Sequence, residues 1–402
     1  MSSFTLEGYK VLELIGEGAF SKVYLVKDRK LGNYYAAKQL QDKCENLDDT
    51  TFDSEVKLIK TVPSHPNLVN IVGLVHANNC LTLIMDLMDM SLYNLMERRH
   101  SALSESRARR ILLQIVCGLE HLHRNGVFHR DIKPENILIK HVHGLHGKEI
   151  VRLGDFGTLE RIDAPKPYTP YIATRWYRAP ECLLTDGYYG PKMDIWALGC
   201  SFYEMVTREP LFPGRGEEHM LELIHDLLGT PSESLLKKFK KNPELTNFKK
   251  RLPQDFRHLL PTLSAGGIAV MKKMIAYHPN QRISASDLLN HMYFSDLTNL
   301  SRRKKLSTFS QSVQSLNVGA KRKESTKNFS FARKVNLRSR DPSVWSGDSG
   351  VSGATFHRLS IEDQTKRKRN LERMWGMTDG PEKRHLSRQI CHIPRVAKHE
   401  LQ

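Results

Sequence analysis

Up to about residue 90 the apolar residues of this chain fall in short β-branched and aromatic runs, and from about residue 100 to 294 they recur mostly at helical spacing. The runs are YKVLELIG (from Tyr9), KVYLVKD, YYAAKQL, LVNIVGLV and LTLIMDLM. One helical pattern interrupts them, FDSEVKLIKTV, in which Val56, Ile59 and Lys60 fall near one face. Downstream, ARRILLQIVCGLEHLH and MDIWALGCSFYEMV are long apolar-periodic segments, with loops such as FHRDIKPEN between them. Strands first and helices afterwards predict an α+β, bilobal chain: a small sheet-rich lobe followed by a larger helical one. The sequence contains no internal repeat.

A chain of 402 residues can bury its core without disulfide staples. Its six cysteines form no CxxC pair and no regular spacing, which reads as reduced thiols rather than a disulfide framework or a zinc site. The start, MSSFTLEGYK, lacks the basic segment and apolar run of a signal peptide, and no apolar stretch approaches the length of a membrane span. The expectation is a soluble protein of the cytoplasm or nucleus. Charge is placed unevenly: residues 301–402 carry 23 Lys+Arg against 9 Asp+Glu, a surplus of 14 out of the net +17. With basic clusters at 302–305, 321–323 and 366–369 among many serines, residues 295–402 read as a largely disordered basic tail. A nuclear-import address, a dock for partners and a solubilising tail all remain open for it. Specific nucleic-acid binding is not expected, because the clusters lack interleaved aromatics.

Four segments carry chemistry. In Ile15-Gly16-Glu17-Gly18-Ala19-Phe20-Ser21-Lys22-Val23, two glycines flanked by strand-like runs allow the backbone to approach a phosphate. Lys38, in the apolar run YYAAK, needs an anionic partner if buried, and Glu55 on the helical stretch is the candidate. His129-Arg130-Asp131-Ile132-Lys133-Pro134-Glu135-Asn136 places Asp, Lys and Asn at n, n+2 and n+5 of one loop. A carboxylate there can accept a hydroxyl proton, a lysine can neutralise a phosphate, and an amide oxygen can ligate a hard cation. Asp155-Phe156-Gly157 adds a second carboxylate after the strand-like Val151-Arg152-Leu153. These are the parts that phosphoryl transfer uses.

In this order the segments resemble the eukaryotic protein kinases over roughly residues 9–294. The resemblance implies the protein-kinase fold, with an N-lobe over about 9–85, a hinge at 86–90 and a C-lobe over 91–294. It implies ATP and Mg²⁺ as cofactors and protein substrates. On it, Lys38 holds the α- and β-phosphates with Glu55 as partner, under the loop Ile15–Val23. Asp131 is the catalytic base, Lys133 contacts the γ-phosphate, and Asn136 and Asp155 ligate Mg²⁺. Asp86 to Met88 form the hinge that meets adenine, with Met85 gating the back of the pocket. Glu181 pairs with Arg282, and Asp194 braces the catalytic loop. A scaffold that had lost activity would need none of Lys38, Glu55, Asp131, Asn136 and Asp155.

TRWYRAPE at 174–181 and LLGTPSE at 227–233 are similar to the group containing MAP kinases and cyclin-dependent kinases, and other stretches to its MAK branch. The branch implies a serine/threonine kinase acting before proline, with a role at cilia or flagella. Thr169-Pro170-Tyr171 matches the phosphorylated lip of MAP kinases, with Arg175 and Arg178 where the phosphotyrosine is received. The three positions that would receive the phosphothreonine read Ser54, Arg130 and Glu160, so one cation survives and one is replaced by an acid. Activation is therefore expected to rest chiefly on Tyr171, with Arg161 as a substitute cation for Thr169. His141-Val142-His143-Gly144-Leu145-His146 is an insertion expected to be a surface hairpin, since no nearby carboxylate or cysteine completes a metal set. Cys80 and Cys117 read as core residues.

Overall fold

Five of the predicted runs do form strands: β1 (Tyr9–Glu17), β2 (Ser21–Asp28), β3 (Tyr34–Leu40), β4 (Ile71–Ala77) and β5 (Cys80–Asp86). In the computed structural model they make one antiparallel sheet in the order β1-β2-β3-β5-β4. The structure describes residues 6–17, 21–40, 61–77, 80–142, 149–169, 173–236, 239 and 248–298. Gly18, Ala19, Phe20, Glu55, Tyr171, His143, His146 and the basic tail lie outside them. The central strand β3 is covered on both sides, and its small Ala36 and Ala37 are buried opposite Met85 and Ile84 of β5. In the same register Lys38 stands between Val23 of β2 and Leu83 of β5. LVNIVGLV becomes a ladder strand only from Ile71, because Asn67 to Val69 turn their hydrogen bonds to the other lobe.

The second lobe is helical. The Glu105–Arg124 helix buries Ala108, Ile111, Leu112, Ile115, Val116, Leu119 and Leu122, the stripe that 3-4 spacing predicts. The Lys192–Thr207 helix is buried nearly all round, with Ile195, Trp196, Leu198, Phe202 and Met205 inside. The helices Glu217–Leu228 and Ala265–Met274 also contribute to this core. Two small sheets lie between helices: β7 (Val127–Phe128) pairs with β10 (Glu160–Arg161), and β6 (Met90–Ser91) with β8 (Ile137–His141) and β9 (Glu149–Leu153).

A second connection joins the lobes beside the hinge. Leu68 bridges Leu153 in parallel, the Val69 amide donates to the Leu153 carbonyl (2.8 Å), and the Leu153 amide donates to the Asn67 carbonyl (2.9 Å). Asn67 Nδ2 adds a bond to the Val151 carbonyl (2.8 Å). Gly118 makes this approach feasible, since a Cβ there would stand 2.8 Å from the Asn67 carbonyl oxygen.

Two expectations need correction. Cys80 and Cys117 are half-buried rather than core; they and Cys182 and Cys200 are free thiols. His141 does have carboxylates around it, brought from elsewhere in the chain: Nδ1 lies 3.1 Å from Asp89 and Nε2 3.6 Å from Glu149, which also pairs with Arg107. Among the described residues no group of His, Cys, Asp and Glu is arranged to hold a metal ion. Arg161 is exposed, and its guanidinium pairs with Asp163 (2.7 Å). No helix of the described residues is long and apolar enough to cross a membrane.

Candidate active site

The loop from β7 to β8 is held from below by one carboxylate. Asp194, buried in the first turn of the Lys192–Thr207 helix, accepts the backbone N–H of His129 on Oδ2 and that of Arg130 on Oδ1, both at 2.8 Å. His123 Nε2 lies 2.8 Å from Oδ2. Burial alone would push the Asp194 carboxyl up, but the hydrogen bonds from His123 and from the His129 amide hold it below the usual aspartate value. These bonds help Arg130 keep a left-handed backbone (φ 70°) immediately before Asp131. His129 is fixed in one tautomer: Nε2 faces the Gly154 carbonyl (3.0 Å), which can only accept, while Nδ1 accepts the Asp131 amide (3.3 Å).

Asp131 is presented as a fixed, hydrogen-bonded carboxylate. Its Oδ2 accepts from Asn136 Nδ2 (3.0 Å) and pairs with Lys133 Nζ (2.8 Å). Its Oδ1 accepts from the Thr174 amide (3.0 Å) and hydroxyl (3.2 Å). Lys133 also donates to the Thr174 hydroxyl at 2.7 Å, which closes a ring of Asp, Lys and Thr. Asn136 Nδ2 donates once more to the Asp131 carbonyl (2.8 Å), so the amide nitrogen is used up and the amide oxygen is the end left for other work.

Asp155 lies two residues beyond β9 with a left-handed backbone (φ 58°), and its carboxylate remains accessible. Lys38 reaches it across the two lobes, Nζ to Oδ1 at 2.5 Å. Burial raises the Asp155 pKa, but Lys38, with smaller help from His129 and Lys133, brings it below the ordinary value, so the group is ionised at neutral pH. Asp86, at the end of β5, is tied by its side chain to Arg152 and accepts the Asn70 amide. Lys140 Nζ donates to the Leu87 carbonyl at 3.2 Å, which fixes the strand crossing between Asp86 and Met88. Glu17 at the end of β1 and Lys22 opposite it on β2 form an ion pair at 3.3 Å.

The lip is anchored on the helical lobe. Glu181 and Arg282 pair as expected, at 2.6 and 3.0 Å, with neither side chain more than 2 % exposed. Arg282 also donates to the carbonyls of Ala276, Tyr277 and Lys192 and lies over the Trp196 ring. Arg178 donates from Nε to the Ala173 carbonyl (3.1 Å) and pairs with Glu217 (2.9 Å), while Arg175 donates to the Arg215 carbonyl (2.7 Å). Thr169 is exposed, and its carbonyl accepts the Tyr189 hydroxyl at 2.7 Å. Asn67, Thr174, Tyr189 and Glu217 were not singled out from sequence. Thr174 opens the TRWYRAPE stretch and was within reach of that reading, whereas nothing local marks the other three.

The site brings a hydrogen-bonded carboxylate, a lysine on the same loop, a carboxamide oxygen and a second carboxylate, ionised and paired to a lysine, onto facing edges of two lobes. That set accepts a proton and neutralises a polyanion, which is the chemistry of phosphoryl transfer. The protein kinase domain model matches residues 9–294, and the chain belongs to the protein kinase family, which transfers phosphate from ATP to proteins. Among its relatives is the human MAPK/MAK/MRK overlapping kinase, 40% identical over 301 residues, which covers 74% of this chain and 70% of that protein. The mouse form is 40% identical over 292 residues, covering 72% and 68%. Rat serine/threonine-protein kinase MAK is 35% identical over 288 residues, 71% of this chain but only 45% of that protein. The chain is therefore a serine/threonine kinase of this branch.

Proposed function

We propose that Asp131 is the base that takes the proton from the acceptor hydroxyl, with Lys133 neutralising the transferred phosphate. Lys38, oriented by Glu55, holds the remaining phosphates under the loop Ile15–Val23, and Asp86 to Met88 meet the adenine. Asn136 and Asp155 would hold Mg²⁺. The donor set fits, since both offer hard oxygens: Asp155 is ionised, and Asn136 has its nitrogen committed to Asp131. Mg²⁺ supplies charge neutralisation on the phosphates when bound; orienting the acceptor and moving its proton fall to Asp131, Lys133 and Thr174.

The observation that carries this reading is the Asp131 carboxylate, held by Asn136, Lys133 and Thr174 at 2.8–3.2 Å. Radiolabelled-phosphate transfer to a protein substrate tests it. Asp131→Asn should lower the rate by about 10²–10⁴-fold, and equal transfer by both proteins would refute the assignment.

The preferred acceptor is a serine or threonine followed by proline. Ala173 has a left-handed backbone (φ 69°), and its carbonyl is turned to the Arg178 guanidinium. A carbonyl so engaged is not free to accept the N–H of the residue after the phosphoacceptor, and proline has no N–H to leave unpaired. Phosphorylation of the Thr169-Pro170-Tyr171 lip regulates the enzyme, chiefly through Tyr171, because Arg175 and Arg178 follow it closely in sequence. The basic tail serves as a docking segment for protein partners.

A further inference from the structure

Arg130 is buried, yet its guanidinium is reached by only one carboxylate among the described residues. Nε donates to the Thr158 carbonyl (2.5 Å), Nη2 to the Leu159 carbonyl (3.4 Å), and Nη1 to the Tyr189 hydroxyl (3.4 Å). Nη1 also lies 3.6 Å from Glu160 Oε2. A buried guanidinium satisfied by carbonyl dipoles alone would still lack a counter-charge. Glu160 supplies it from a fixed place, because β10 pairs with β7 so that Glu160 stands opposite Phe128, two residues before Arg130. The group extends to the lip: the Tyr189 hydroxyl that accepts from Arg130 donates to the Thr169 carbonyl at 2.7 Å.

We propose that Glu160 is a positioning residue for the transfer reaction. Its carboxylate neutralises Arg130 from within the fold and so sets the backbone that carries Asp131, without a phosphate on Thr169. A phosphate added to Thr169 would meet a cation already paired and an acid of its own sign. The neighbouring Arg161 lies at the surface, engaged by Asp163 through two bonds of 2.7 and 2.8 Å. The proposal rests on the assignment of Asp131 as the base.

The test compares wild type, Thr169→Ala, Glu160→Gln and the double variant in steady-state transfer to a protein substrate. Thr169 occupancy is measured by mass spectrometry of the lip peptide. Thr169→Ala alone should stay within about twofold of wild type in kcat. Glu160→Gln should lose roughly tenfold in kcat, or ~1.4 kcal/mol, with little change in KM for ATP. It should regain activity in the fraction phosphorylated on Thr169, and the double variant should not. A purely structural role would lower melting temperature and yield without this rescue by phosphate. A tenfold loss from Thr169→Ala in the wild-type background overturns the proposal, as does a Glu160→Gln enzyme as active as wild type. If Glu160→Gln does not fold, the Thr169→Ala result decides, since that variant alters only an exposed side chain. Asp131→Asn, run alongside, separates the two readings: activity retained there removes the base assignment whatever the Glu160 variants do.

Discussion

Glu204 is an acid placed where an acid is costly, and it makes the stability of the helical lobe depend on pH. It lies on the Lys192–Thr207 helix, 8 % exposed, and accepts the Tyr177 hydroxyl at 2.8 Å. Burial, helped by the fields of Glu135 and Glu209, outweighs that hydrogen bond and holds its pKa at about 7, against 4.5 for a free glutamate. The folded state thus binds this proton more tightly than the unfolded one. Its contribution to stability is fully present below about pH 4.5, is lost as pH rises towards 7, and stays lost above. The displacement of about 2.5 units at 1.36 kcal/mol each amounts to ~3 kcal/mol. Glu204→Gln keeps an oxygen for Tyr177 and removes the titration. Urea unfolding of both proteins between pH 5 and pH 8 is the assay, and the readout is the difference between the two ends, since any cost of the new amide is constant in pH. Wild type should lose about 2.5 kcal/mol more than Glu204→Gln over this range, part of the full effect being already lost at pH 5. Parallel pH dependences, or a variant that loses more than wild type, would refute the reasoning.

Two further outcomes follow from the lip. Glu181→Gln leaves the fully buried Arg282 without its counter-ion and should cost ~3–5 kcal/mol in urea unfolding, most of it recovered in Glu181→Leu/Arg282→Met; a loss under about 1 kcal/mol would contradict the buried pair. Arg178→Ala frees the Ala173 carbonyl, so the preference for a Ser-Pro peptide over its Ser-Ala counterpart should fall by roughly tenfold in kcat/KM, and an unchanged ratio would discard the carbonyl argument.

The two lobes were legible because period two and period 3.6 leave distinct patterns in the sequence, and the Glu105–Arg124 and Lys192–Thr207 helices appear where their apolar stripes are written. Asp131, Lys133 and Asn136 were legible because they share one loop, so their spacing alone restricts their geometry. Lys38 and Asp155 lie 117 residues apart, and no local pattern joins them; only the resemblance to kinases anticipated a shared site. Glu160 was visible as an acid in an unexpected place, but its hold on Arg130 depends on the pairing of β10 with β7, two-residue strands too short to announce themselves. Glu204 is marked in the apolar run MDIWALGCSFYEMV only by being, with Asp194, one of two carboxylates within a helix buried nearly all round.

The strap at Asn67–Val69 has a mechanical consequence. Two bodies joined by one chain crossing can swing and twist freely, whereas two crossings set side by side act as a pair of door pins and leave mainly one rotation. One pin is the segment Asp86–Met88, held by Arg152 and Lys140; the other is the bonded pair Val69–Leu153. Asp155 stands two residues from the second pin and is thus close to the axis, where opening and closing displace it least. Lys38 belongs to the other lobe, so its distance from Asp155 is a gauge of how far the lobes are apart.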